Sequence, residues 1–91
     1  MSRTIRYSRS AAKAIRRLDP GVRARVRAAM RALTVNPLRG KPLQLTLRGL
    51  RSWHTGDWRI VYRIVEDRIE ILMVSMGHRR EVYDLLRERL R

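Results

Sequence analysis

Two histidines (His54 and His78), one tyrosine near the C-terminal end (Tyr83) and the arginines Arg59, Arg79 and Arg80 are the residues of this chain best suited to chemistry. Such a set fits cleavage of an RNA phosphodiester by the RNA's own 2′-hydroxyl. That step needs a base to take the 2′ proton, cations to steady the phosphorane charge, and an acid for the departing 5′-oxygen. Histidine titrates near neutrality. The planar fork of arginine holds two phosphate oxygens at once, with no need of a metal ion. A tyrosine stacks on a base or, with its pKa lowered by neighbouring arginines, exchanges a proton. Other chemistries lack their parts. With no cysteine and only two histidines there is no metal-ligand spacing. There is no converging carboxylate pair, no Gly-rich phosphate loop ahead of a helix and no nucleophile elbow. The reading therefore includes no cofactor and no metal. Each residue also has a plainer role open to it. Arg59 could serve only an acidic neighbour across a sheet, Tyr83 could pack under a helix, and His54 and His78 could be a surface strand residue and a turn residue.

The elements that must position these side chains centre on Gly56 to Tyr83. Residues 57–65 alternate: Trp58, Ile60, Tyr62 and Ile64 point one way, and Arg59, Val61, Arg63 and Val65 the other. That is a strand pattern. The nearly continuous apolar run 69–74 (IEILMV) is too short for a usual helix and fits a strand buried on both faces. Glu66-Asp67 between them predicts an antiparallel hairpin. A two-residue loop sets Ile64 against Ile69, Tyr62 against Ile71 and Ile60 against Met73. On the other face Arg63 meets Glu70, Val61 meets Leu72 and Arg59 meets Val74. One face is then wholly apolar, and the second carries Arg59 and Arg63 on an apolar floor. Residues 50–55 (LRSWHT) read as a preceding strand turning at Thr55-Gly56. This sets Trp53 against Trp58, groups His54 and Ser52 with Asp57 and Arg59, and leaves Arg51 on the apolar face.

Upstream, residues 3–7 are a short strand. Ala11, Ala14, Ile15 and Leu18 form one face of a helix capped by Ser8 or Ser10. Asp19-Pro20 breaks and restarts the chain, and Val22, Val26, Ala29, Met30 and Leu33 form the stripe of a second helix reaching about Val35, where Asn36-Pro37 ends it. Residues 37–49 read as a loop with a short extended piece. After Gly77, Val82, Leu85, Leu86 and Leu90 predict a short terminal helix. The order is that of an α+β domain: an N-terminal strand and helical hairpin packed on a small antiparallel sheet, with a short C-terminal helix, all in one domain over 1–91.

Charge is the loudest global feature: 22 Lys+Arg against 8 Asp+Glu, net +14. A surplus of this size predicts polyanions or an acidic protein as partners. No apolar run reaches membrane-spanning length and residues 1–20 lack the apolar core of a secretion signal, so a soluble, cytoplasmic protein with no membrane partner is expected.

Taken together, the early helical hairpin, Gly-Asp-Trp-Arg-Ile-Val-Tyr (56–62) and Gly-His-Arg-Arg-Glu-Val-Tyr (77–83) resemble the RelE/ParE superfamily of bacterial toxins, in element order over nearly the whole chain. The resemblance implies a microbial ribonuclease-like fold. For the RelE-like branch it implies metal-independent mRNA cleavage in the ribosomal A site, with the ribosome and mRNA as partners. A cognate antitoxin is implied too, forming a toxin–antitoxin hetero-oligomer. By motif, Arg59, Arg79 and Tyr83 fall on the family's phosphate-stabilising and proton-transfer or stacking positions. His54 joins them as the candidate base, and Arg51, Arg63, His78 and Arg80 as RNA-binding residues. The chain departs from the family in one place: on the strand before Gly56, Ser52 and His54 stand where lysine or arginine is usual. The ParE-like branch, which inhibits DNA gyrase without catalysis, shares the fold and is the alternative.

Overall fold

The computed structural model describes residues 3–44 and 47–76. The expected C-terminal helix and four of the proposed site residues, His78, Arg79, Arg80 and Tyr83, lie outside them. Strand β1 (Thr4–Tyr7) leads into helices α1 (Arg9–Arg16) and α2 (Pro20–Val35). A 3₁₀ turn (Pro37–Arg39) follows, then β2 (Lys41–Pro42), β3 (Arg51–Thr55), β4 (Trp58–Val65) and β5 (Arg68–Met76). These are the expected α+β elements. No helix among the described residues is long and apolar enough to cross a membrane.

Local chemistry explains the helical hairpin. Ser8 is the N-cap of α1: its Oγ accepts from the Ala11 N–H at 3.0 Å and donates to the Leu72 carbonyl at 2.8 Å. One hydroxyl thus satisfies a helix terminus and ties it to β5. At the other end of α1 the guanidinium of Arg23 donates to the carbonyls of Ile15, Arg16 and Leu18 at 3.3, 3.0 and 2.9 Å. A residue of α2 therefore caps α1 and fixes the angle of the hairpin. Asp19 occupies the N-cap of α2, but its side chain makes no capping bond, and Pro20 fills the first turn. The apolar stripes meet the sheet as the spacing predicts. Ala11, Ile15, Leu18, Val26, Met30 and Leu33 bury themselves against Ile60, Tyr62, Ile69, Ile71 and Val74.

The sheet order is β1-β5-β4-β3-β2. Three of its junctions are antiparallel, but β1 joins β5 in parallel, from Thr4↔Arg68 to Tyr7↔Ile71. The expectation of an antiparallel sheet is corrected there. A parallel neighbour needs a crossover, and the helical hairpin lies within it.

The β4–β5 register begins as expected, with Ile64↔Ile69, Arg63↔Glu70 and Tyr62↔Ile71, and then shifts. A bulge leaves Leu72 unmatched, so Val61 faces Met73, Ile60 faces Val74 and Arg59 faces Ser75, in place of the expected Leu72, Met73 and Val74. The β3–β4 pairing is displaced by two residues from expectation: the turn is Gly56-Asp57, with Gly56 at φ 58°, and His54 stands opposite Arg59 where Asp57 was expected. A shift of two preserves the faces, so the expected grouping of His54 and Ser52 with Arg59 holds.

The outer face, opposite the helices, is not an open apolar floor. Leu43, Leu47 and Leu50 fold over Val61 and Met73 and make a second small core in its middle.

Candidate active site

Two charged sites lie on the outer face, on either side of that small core. At the end nearer the Gly56 turn, Arg59 of β4 stands directly between His54 of β3 and Ser75 of β5. The Arg59 Nη1 donates to the Ser52 Oγ at 3.2 Å. Ser52 is buried, Arg59 is half-buried and His54 is exposed. The residues opposite Arg59 on the two neighbouring strands are His54 and Ser75. The Cα of a strand residue lies about 5 Å from its opposite number, so His54, Arg59 and Ser75 form one row across three strands. Strand β5 ends one residue later, at Met76 opposite Trp58. His78, Arg79, Arg80 and Tyr83 follow in the sequence, outside the described residues.

At the other end Arg63 is taken up by Glu70. Its Nε donates to Glu70 Oε1, and Arg68 Nε donates to Oε2 at 3.3 Å. The Arg63 hydrogen bond first, then the charges of Arg63 and Arg68, hold the Glu70 carboxyl below the usual carboxylate range against the opposing effect of desolvation. Arg63 lies four residues along β4 from Arg59, about 13 Å by strand rise, with roofed Val61 between them. The expected single face of arginines is thus two sites. Because Glu70 has a depressed pKa when folded, the stability it contributes is present above the unfolded value of about 4.3 and is lost as pH falls through the folded one. Glu70→Gln should melt slightly below wild type at pH 7, and the gap should close in strong acid, once pH has fallen through the folded value. Calorimetry at the two pH values checks this; a gap that persists in acid would contradict it.

Arg51 is on neither site. It pairs with Tyr62 on the helix-facing side, and its Nε donates to the Gly40 carbonyl at 3.2 Å. Its out-of-phase position in the strand is explained by this carbonyl at the sheet's margin. Two residues of the outer face escaped the sequence reading. Ser75 was hidden by the bulge. Lys41, opposite Ser52, was hidden because the two-residue strand β2 has no pattern of its own. Among the described residues no cluster of His, Asp and Glu suits a metal ion.

Residues 5–83 match the family model for the ParE toxin of the type II toxin–antitoxin system parDE. The chain belongs to this family. Among relatives of the ParE/RelE toxins, Toxin RelG of Mycobacterium tuberculosis is 33% identical over 85 residues, 91% of this chain and 98% of the relative. In the crystal structure of the toxin–antitoxin complex RelBE2 of the same organism, a 33% identical chain matches with a TM-score of 0.77, over 85% of this chain and all of that one. The free Escherichia coli toxin RelE, as a double arginine mutant, matches at 0.79 over the full length of both chains with 18% identity, a likeness of fold alone. The RelE-like fold expected from the two glycine motifs is therefore found, and the family's type II toxins are the group to which this chain belongs.

Proposed function

We propose that this toxin is a ribosome-dependent mRNA endoribonuclease that arrests translation and is neutralised by a cognate antitoxin. The observation that carries the reading is the Arg59 row: a half-buried arginine with a histidine on one side and a serine on the other, on the outer face. His54 takes the proton of the 2′-hydroxyl, and the 2′-oxygen attacks phosphorus. Arg59 and Arg79 hold the charge that builds on the non-bridging oxygens. The bond to the 5′-oxygen breaks, and that oxygen takes a proton from Tyr83. The products are a 2′,3′-cyclic phosphate and a free 5′-hydroxyl. Arg79 is three residues beyond Met76, at most about 11 Å of chain, so it is within reach of the Arg59 end of the sheet. With net +14, the antitoxin segment that covers this face should be acidic, and its binding should weaken with salt.

A second reading is favoured by the family model itself, which is that of the ParE toxin: inhibition of DNA gyrase through protein contacts, without catalysis. Primer extension on mRNA from translating ribosomes separates the two. Cuts at A-site codons with wild type that vanish with Arg79→Ala support the nuclease. Growth arrest over intact mRNA supports the gyrase reading and returns His54 and Tyr83 to structural roles.

A further inference from the structure

The phosphorane of the proposed reaction carries charge on two non-bridging oxygens; among the described residues Arg59 is the cation on that row, and Arg79, assigned beside it, lies outside them. Strand β3 offers no further cation on this face, since its outward residues are Ser52 and His54. The next strand does. Lys41 of β2 stands directly opposite Ser52, on the same face, and is exposed. Ser52 is also the residue whose Oγ accepts from Arg59 Nη1. The order across the sheet is thus Lys41, Ser52, then the head of Arg59, which leans toward β3. One strand spacing, about 4.8 Å, separates Lys41 from Ser52.

A two-residue edge strand has little sheet bonding to hold it, yet the residue just before Lys41, Gly40, is pinned at both its N–H and its carbonyl. The Gly40 N–H donates to the Tyr62 hydroxyl at 2.9 Å. The Gly40 carbonyl accepts from Arg51 Nε at 3.2 Å. Pro42 follows, which confines Lys41 to extended backbone and suits an edge strand because it has no N–H to offer. Gly40 leaves no room for a β-carbon, which would meet the Tyr62 hydroxyl at 2.5 Å and the Ser52 carbonyl at 2.9 Å.

We infer that Lys41 and Arg59 straddle Ser52 to form a two-cation site for the scissile phosphate of RNA, with Arg51 and Tyr62 as positioning residues that hold Lys41 in place. The inference rests on the nuclease reading for its substrate, but its test does not depend on cleavage. The full chain is compared with Lys41→Gln, Lys41→Arg and, as a control on helix α1, Lys13→Gln. One arm measures cleavage of ribosome-bound mRNA. The other measures binding of a fluorescent oligoribonucleotide made uncleavable by 2′-deoxy substitution, as a function of salt. Lys41→Gln should cut about 10- to 100-fold more slowly, with wild-type melting temperature, and Lys41→Arg should recover most of the rate. The slope of log K against log salt should fall by about 0.7 for Lys41→Gln, the loss of one phosphate contact on a single strand, and stay unchanged for Lys13→Gln. Wild-type rate and slope in Lys41→Gln would overturn the inference, as would an equal fall in slope in Lys13→Gln. If the wild type cuts nothing, the nuclease reading fails, and the slope alone decides whether Lys41 holds phosphate.

Discussion

Arg59→Ala should abolish growth arrest and slow mRNA cleavage by about 10²- to 10³-fold, the usual cost of removing one preorganised donor from a developing anion. The fold should survive. Arg59 is half-buried on the outer face, outside both apolar clusters, and its Nη1 donates to Ser52 Oγ. Losing that bond costs on the order of 1 kcal/mol, which does not unfold the domain. Arg59→Lys should retain charge but lose the fork that grips two oxygens, and should fall between wild type and alanine. The measurement is cleavage rate beside a thermal melt for each variant. Undiminished arrest by Arg59→Ala would sink the nuclease assignment; lost arrest with a collapsed melt would mean that Arg59 had been structural.

The second large effect is on stability. Tyr62→Phe removes one oxygen and leaves the ring, so the apolar burial of a fully enclosed side chain is kept. The hydroxyl donates to the Pro37 carbonyl at 2.6 Å and accepts from the Gly40 N–H at 2.9 Å. Both partners are in buried residues. Burial pushes the Tyr62 pKa up, ahead of the lowering effects of Gly40 and Arg51, so the group stays a neutral donor at working pH. Without it, a buried donor and a buried acceptor lose their shared partner. The expected loss is about 2–4 kcal/mol, against about 1 kcal/mol for an ordinary exposed hydrogen bond. For a chain of this size that corresponds to a fall in Tm of roughly 10–25 °C. A differential scanning melt of Tyr62→Phe within about 3 °C of wild type would show that water or relaxation replaces the hydroxyl.

Much of the fold was legible because its signals were periodic. The helical stripes from Ala11 to Leu33 and the alternation of β4 each name a face without reference to anything distant. The hairpin at Glu66-Asp67 was legible for the same reason, and Ile64↔Ile69 to Tyr62↔Ile71 follow from it. What failed was set by single residues. Glu70 and Ser75 are five apart, so a regular strand would put one of them in the core; a bulge between them lets both face outward. That odd spacing was the available sign of the shift at Leu72. β2 had no such sign, since two residues carry no period, and with it Lys41 was missed. The roof of Leu43, Leu47 and Leu50 was read as loop because leucines at irregular spacing state no face. At the site, the partner of His54 moved by two residues, from Asp57 to Arg59, but stayed on the same side of the sheet. Side is therefore more robust to turn chemistry than partner is.

The parallel contact of β1 with β5 has a consequence in time. The Ser8 hydroxyl and the Leu72 carbonyl it bonds are 64 residues apart. At the pace of bacterial synthesis, about 5–20 residues per second, the first strand and its helix cap wait roughly 3–13 s for their partner to be made. During that interval the apolar stripes of the two helices have no sheet to cover, and Arg59 has no row to stand in. Long-range pairing of this kind also slows the final closure of the sheet. A ribosome making this toxin therefore carries an incomplete sheet for most of the job, and the face that bears Arg59 comes into being only after β5 has been translated.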